Sequence, residues 1–284
     1  MWLVSAVFSA FFAGITSILA KIGLKDVNSN VVTAIRCIVI LVFSWMIVFW
    51  TQAHKEIYEI SVKTYIFLIL SGLSTGGAWI MYFKALQLGN VNKVTPIDKS
   101  STLFAMIFAF IFLGEEVDTV KIMSMILIGI GTYMMITTKT DSSKNKKGWF
   151  AAAMLSAVFS ALTSIFGKIG IEGLDSNLGT AIRTIVVLIM AWTVVFMRKE
   201  TEEIKNIDSK SMLFIVLSGI TTGLSWLFFY NALQKGPVSI VQPIDKLSIV
   251  VTILFSYIVL GEKLSKKSFI GFILLVVGTL SLLL

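Results

Sequence analysis

The sequence is poor in charge, cysteine, histidine and proline, and each shortage excludes something. Charged residues make up 14% of the chain, against about 25% in an ordinary soluble domain. A soluble globular fold is therefore excluded at the outset. The single cysteine, Cys37, can form no internal disulfide and no cysteine-based metal cluster. The single histidine, His54, sits in a polar stretch beside Lys55 and Glu56 and reads as a solvated loop residue. No HExxH, GxSxG, Walker loop or paired Cys-His set occurs, so the sequence carries no signature of an enzyme, a metal site or a bound cofactor. Without a Walker loop, ATP-driven transport by this chain alone is not expected. No basic leader precedes the first apolar run, so residues 1–20 read as a first helix rather than a cleaved signal.

What is abundant is apolar. Hydrophobic residues make up 56% of the chain and the mean hydropathy is +0.89. Apolar runs near 20 residues recur, each long enough to cross a hydrocarbon core of about 30 Å. The reading is a polytopic, all-α membrane protein. The net charge of +8 reflects lysines and arginines in short loops, where they set orientation. It is not read as a nucleic-acid footprint.

The second half repeats the first at a fixed offset of 147 residues. Trp2 maps to Trp149, Lys21 to Lys168, Arg36 to Arg183, Trp79 to Trp226, and Pro96-Ile97-Asp98-Lys99 to Pro243-Ile244-Asp245-Lys246. Roughly 40% of aligned positions are identical, a direct sign of duplication. Spans are expected near 2–21, 30–50, 64–86, 91–113, 120–138, 149–168, 177–197, 211–233, 238–260 and 267–284, ten in all. Residues 1–138 form the first five-span repeat and 149–284 the second. Residues 139–148 form a polar linker containing KTDSSKNKK. An odd number of spans per repeat puts the second copy into the membrane upside down, the build of alternating-access transporters.

Lysine and arginine on alternate loops divide fifteen to five. The positive-inside rule makes the richer side cytoplasmic and puts both termini outside. The diverged loops agree. Glu115–Lys121 is acidic with one lysine, whereas Glu262–Ser268 carries three.

Six charged residues fall well inside spans: Arg36, Asp98, Lys99, Arg183, Asp245 and Lys246. A charge at mid-helix costs about 2.5–3.5 kcal/mol on insertion scales, so each needs a partner, a wet cavity or a route to the surface. The Asp-Lys pairs follow Pro96 and Pro243, which loosen the fourth and ninth spans. Thr95, Asp98, Ser101 and Thr102 share one helix face, and Gln242, Asp245 and Ser248 present the same stripe in the second copy. Neighbouring residues point about 100° apart, so Asp98 and Lys99 cannot share a direction. Each aspartate is expected to find a cation on another helix, with Arg36, Arg183, Lys21 and Lys168 as candidates. The alternatives are ion pairs that lock helices and a substrate or ion site. The excess of cations in the set favours an anionic or zwitterionic substrate. Ser71-Gly72 and Thr75-Gly76, with Ser218-Gly219 and Thr222-Gly223, form small-residue faces for close helix packing. Trp79, Trp226, Tyr82 and Tyr230 lie near mid-span as candidate cavity walls. Gly114-Glu115 and Gly261-Glu262 end the fourth and ninth spans, the glycine as a helix stop and the glutamate as a solvated or capping group.

In order, these features resemble the EamA branch of the drug/metabolite transporter superfamily. Each five-span unit has a basic end to its first span (Lys21, Lys168) and an arginine in its second (Arg36, Arg183). A proline follows in the fourth span, with Gly-Glu closing it (Pro96 to Glu115, Pro243 to Glu262). A glycine-containing last span completes the unit (Gly129-Ile130-Gly131; Gly271 with Gly278). The resemblance covers the whole chain, and each half also looks like single-unit members of about 140 residues. It implies a ten-helix bundle around a central cavity, with spans 5 and 10 peripheral, and export or exchange of small metabolites.

The expected function is secondary active transport of a small polar metabolite across the plasma membrane. Candidate substrate- or ion-binding residues are Asp98, Lys99, Asp245, Lys246, Trp79, Trp226, Arg36 and Arg183. Thr95, Ser101, Gln242, Ser248, Tyr82 and Tyr230 are candidate cavity-lining residues. Partners are the substrate and the bilayer, with protons as a candidate coupling ion and a monomer or homodimer as the assembly. A lipid-carrier flippase of the same fold and a non-transporting membrane binding protein are the alternatives.

Overall fold

In the computed structural model, residues 1–23, 27–88, 91–135, 147–260 and 265–284 are described. Polar segment 139–146 of the expected linker, Lys25, and Gly261-Glu262 with Lys263 lie outside them. So do the side chains of Lys21, Lys93 and Pro96.

All regular structure among the described residues is helical. The α-helices are α1 (Trp2–Gly23), α2 (Ser29–Trp50), α3 (Val62–Leu88), α4 (Val91–Lys99), α5 (Ser101–Phe112) and α6 (Thr119–Met135). They continue with α7 (Trp149–Gly170), α8 (Ser176–Met197), α9 (Ser209–Lys235), α10 (Val238–Lys246), α11 (Ser248–Leu260) and α12 (Lys266–Leu280). Short 3₁₀ turns cover Ala53–Glu59, Thr201–Asn206 and Ser281–Leu283. Each helix has its counterpart one repeat away. Eight segments are long and apolar enough to cross a membrane, and α6 is a shorter apolar helix. The expected span at 91–113 is divided into α4 and α5, and the described part of the fifth, α6, has 17 residues, so eight of the ten expected spans are counted by length.

Local chemistry sets these ends. Asn28 caps α2 by accepting from Asn30 N at 2.9 Å. Its repeat equivalent, Asp175, caps α8 by accepting from Asn177 N and Leu178 N. Gln52 and Lys199, also equivalents, follow α2 and α8 in the left-handed conformation, at φ 59° and 58°. That geometry turns the chain sharply into each 3₁₀ segment. Gly114, at φ +66°, stops α5 as the sequence predicts. The breaks α4/α5 and α10/α11 fall four residues after Pro96 and Pro243. Each proline removes the hydrogen bond to the carbonyl four residues before it, so the missing N–H loosens the preceding turn and does not itself make the break. At the first break the Ser100 hydroxyl donates to Ile97 O at 2.5 Å, closing the turn.

The chain forms two compact units. The first comprises residues 1–73, 166–236 and 245–261. In it α1 packs along α9, α2 along α8 and α9, and α1 against α11. The second comprises residues 74–165, 237–244 and 262–284. In it α6 packs along α12. There Gly131 and Gly271 bring two backbones together: a Cβ on Gly131 would lie 2.6 Å from Gly271 O. Met106, Ile128 and Leu282 form a buried cluster in this unit. Large apolar side chains such as Phe49, Phe112, Ile130 and Phe196 stay exposed. They suit a surface facing lipid and would be a liability in water.

Candidate functional site

Asp98 and Asp245 sit at the ends of the short helices α4 and α10, two residues before the break. In the second unit, Ser156 of α7 donates to Asp98 Oδ1 at 2.8 Å. In the first unit, Ser9 of α1 donates to Asp245 Oδ1 at 2.7 Å. Ser9 and Ser156 are equivalent under the offset of 147, as are the two aspartates. The same contact is thus made twice, each time between the first helix of one repeat and the broken helix of the other. The partner each carboxylate finds on another helix is a hydroxyl, where a cation was expected.

Further hydroxyls extend both sites. Ser9 lies 3.4 Å from Ser225, whose hydroxyl donates to Ser9 O at 3.1 Å. Thr16 lies 2.8 Å from Thr221 and 3.4 Å from Thr222. The equivalent of that last pair, Thr163 and Thr75, is 3.3 Å apart. Ser156 also reaches Ala78 O at 3.0 Å, and Ser164 donates to Gln242 Oε1 at 2.9 Å. Tyr82 lies beside Thr95 and within electrostatic reach of Asp98. Ser101 is buried; Ser248, Trp79 and Lys246 are half-buried.

The two arginines differ in burial. Arg183 is 1% exposed. Its guanidinium lies 4.9 Å from the Trp226 ring and 4.7 Å from the Tyr230 ring, and Nε donates to Ser71 at 3.3 Å. These are cation–π distances in a desolvated setting. Arg36 is only half-buried and donates to Thr222. Its Nε is buried with no hydrogen-bond partner among the described residues. The structure therefore gathers Arg183, Trp226 and Tyr230 into one cluster.

Lys99 and Asp98 diverge as helix geometry requires. Lys99 is exposed and lines a crevice toward α6, while Asp98 faces α7. Lys168 donates to the carbonyls of Leu233 and Gly236, the latter at 2.7 Å. It thus caps the carbonyl end of α9, where the helix dipole favours a cation. Glu115 has the complementary role. Its two oxygens accept from Val238 N at 2.5 Å and Ser239 N at 2.9 Å, at the amide end of α10. Hydropathy and charge do not single out Ser9, Ser156, Thr16 and Thr163. Their signal was present, since Ser9/Ser156, Thr16/Thr163 and Ser17/Ser164 are identical pairs across the offset.

A model of the EamA-like transporter family matches residues 1–137 and again 147–284. The chain belongs to this family. One relative, an uncharacterized transporter from a Sinorhizobium species, is 39% identical over 134 residues, 47% of this chain and 95% of its own length. That relative is therefore about the length of one repeat. The glucose uptake protein GlcU of Staphylococcus xylosus is 27% identical over 72% of each chain. Human solute carrier family 35 member G1 is 29% identical over 84% of this chain and 67% of its own. A chain solved by crystallography shares the fold, with a TM-score of 0.76 at 16% identity over 98% of this chain and 94% of that one. The protein is thus a multi-pass, all-helical member of a transporter family.

Proposed function

We propose that this family member is a secondary active transporter, an exporter or exchanger, of a small polar metabolite. It works by alternating access between two inverted five-span repeats. In this reading α4–α5 and α6 supply the two spans that length alone does not count, giving ten. The plasma membrane is its site, with both termini outside by the lysine and arginine bias. The relative named for glucose uptake adds small sugars to the zwitterionic and anionic solutes that the charges suggest.

The observation that carries the reading is the twice-made contact of a carboxylate with a serine hydroxyl. A hydroxyl is a partner for either protonation state, since it donates to a carboxylate and accepts from a carboxylic acid. A group held this way can release a proton or engage a substrate without leaving an opposite charge stranded in the membrane. A pair built only to lock helices gains nothing from that freedom. Intramembrane ionisable residues mark substrate and proton routes as a rule, and half-helices at mid-membrane are where such transporters place their sites. Asp98 and Asp245 are assigned as the proton- or substrate-responsive groups. Arg36, Gln242, Ser101 and Ser248 are assigned to the surrounding wall.

Reconstituted into proteoliposomes, Asp98→Asn and Asp245→Asn should each abolish gradient-driven uptake of a metabolite found by thermal-shift screening. Expression and thermal stability should stay near wild type. Undiminished uptake in both variants would overturn the assignment.

A further inference from the structure

We propose that Arg36 binds the carboxylate of the transported solute while Asp245 accepts from a donor group on the same molecule. The solute is then a small acid bearing an ammonium or a hydroxyl, and not a neutral sugar. This rests on the transport function proposed above and adds to it the chemical class of the solute.

Both groups belong to the first compact unit. Arg36 of α2 donates to Thr222 of α9. Thr222 lies 3.4 Å from Thr16 of α1, and Thr16 lies 2.8 Å from Thr221. Further along α9, Ser225 lies 3.4 Å from Ser9, whose hydroxyl donates to Asp245 at 2.7 Å. Residues three apart on a helix are neighbours, with Cβ atoms about 5–6 Å apart. Thr222 and Ser225 stand in that relation. On α1 the matching residues, Thr16 and Ser9, are seven apart and so share a face. A cation and a carboxylate thus border adjacent turns of one hydroxyl-lined seam between α1 and α9.

Opposite charges this near would be expected to pair if their task were to lock helices. Among the described residues they do not. Asp245 accepts from a serine. A guanidinium has five N–H donors, and the one hydrogen bond from Arg36 goes to a threonine. Both residues are half-buried, so neither is sealed from a ligand. Charge within a span is costly without a counter-charge, and a solute carrying both groups supplies each with its complement. A carboxylate matches the fork of the guanidinium, and an ammonium or hydroxyl donates to the aspartate. A neutral sugar answers Asp245 but leaves Arg36 without an anion.

Arg183 shows what an arginine built for packing looks like. It is 1% exposed, with Trp226 and Tyr230 over its guanidinium. No solute reaches it there. The close approach of α9 to α2 is what sets Arg36 beside Thr222: a Cβ on Gly219, one turn before Thr222, would lie 2.8 Å from Val39 Cβ.

Thermal-shift titration of the purified protein with glycine, glycolate and glycinamide tests the assignment without flux. These probes carry the required groups and little else. Glycine, glycolate or both should stabilise wild type, whereas glycinamide, which lacks the carboxylate, should not. Arg36→Gln should weaken binding of the acids about tenfold, the loss expected for a hydrogen bond to a charged group. Asp245→Asn should weaken glycine binding as well. Thr222→Val should weaken the acids with the arginine present, and Thr222→Ser should restore them; this pair decides the matter if Arg36→Gln folds poorly. Stabilisation by glycinamide equal to that by glycine would overturn the subsite, as would full-strength binding in Arg36→Gln or no response to either acid. Acid binding without uptake in proteoliposomes would sink the transport function and leave the subsite standing. Glucose uptake indifferent to Arg36→Gln would do the reverse.

Discussion

Arg36 and Arg183 occupy equivalent positions in two copies of one sequence, yet they differ in burial. Arg183 is sealed between Trp226 and Tyr230 and bonded to Ser71. Arg36 reaches Thr222 and is only half-buried. Part of the cause is legible in the sequence: Tyr230 corresponds to Phe83, and Lys84 to Asn231. By contrast, the Ser9–Asp245 and Ser156–Asp98 contacts match to within 0.1 Å, at 2.7 and 2.8 Å. Duplication preserved the carboxylate contacts, while the two arginines differ in burial. Geometry kept in both copies is what a shared mechanism needs, whereas a difference between copies can serve one copy's packing or one substrate's shape.

The largest test of that contrast is stability. Arg183→Ala removes a cation from two ring faces and leaves a hole between them. It should cost about 3 kcal/mol, from desolvated cation–π contacts and a buried large-to-small change. Arg36→Ala removes one hydrogen bond from a charged donor on a half-buried side chain, so about 1.5 kcal/mol is expected. Thermal unfolding in detergent should rank them in that order. Equal losses would mean that the arginine sites are alike in energy despite their geometry.

The conserved side of the contrast calls for matched effects. Ser9→Ala and Ser156→Ala each remove one hydroxyl from one carboxylate. Hydrogen bonds between membrane helices contribute about 0.6 kcal/mol on average and at most about 1.7. Each change should therefore cost about 1 kcal/mol, with the two costs indistinguishable. Each should also lower gradient-driven uptake, and to the same extent. A loss in one variant only would break the equivalence and assign the coupling to a single repeat.

How far the sequence foretold this depends on which physics a residue obeys. The offset of 147 follows from recurrence and the helix positions from hydropathy, and both can be read without knowing which helices become neighbours. The divergence of Asp98 from Lys99 follows from helix rotation, but their destinations, α7 and the α6 crevice, depend on which helices become neighbours. Ser9 and Ser156 were obscured for another reason. A hydroxyl in a membrane helix commonly bonds the carbonyl four residues back, as Thr33 and Thr180 do here, so a serine in an apolar run gives no sign that it holds a carboxylate. Only its recurrence at the offset did. Glu115 read correctly as a solvated or capping group, but the helix it caps lies in the other repeat, beyond any local rule.

The smallest test uses helix caps, where the copies hold the same position with different chemistry. Ser61 and Asp208 are equivalents that begin α3 and α9. Ser61 accepts from Thr64 N at 3.1 Å and Asp208 from Ser211 N at 3.2 Å. Asp208 is solvent-exposed, and its hydrogen bonds from Ser211 hold its carboxyl below the ordinary value of 3.8. The sign follows from linkage. A depressed folded pKa means that the cap's contribution is complete above the unfolded value and is lost as pH falls through the folded one. Serine has no such transition. Hydrogen exchange corrected for intrinsic rates should show protection at Ser211 declining as pH drops below the ordinary carboxyl range, while protection at Thr64 holds constant. Asp208→Ser should transfer the flat profile of Ser61 to α9. A parallel decline at both amides would instead mean that acid loosens the two helices together, through something the copies still share.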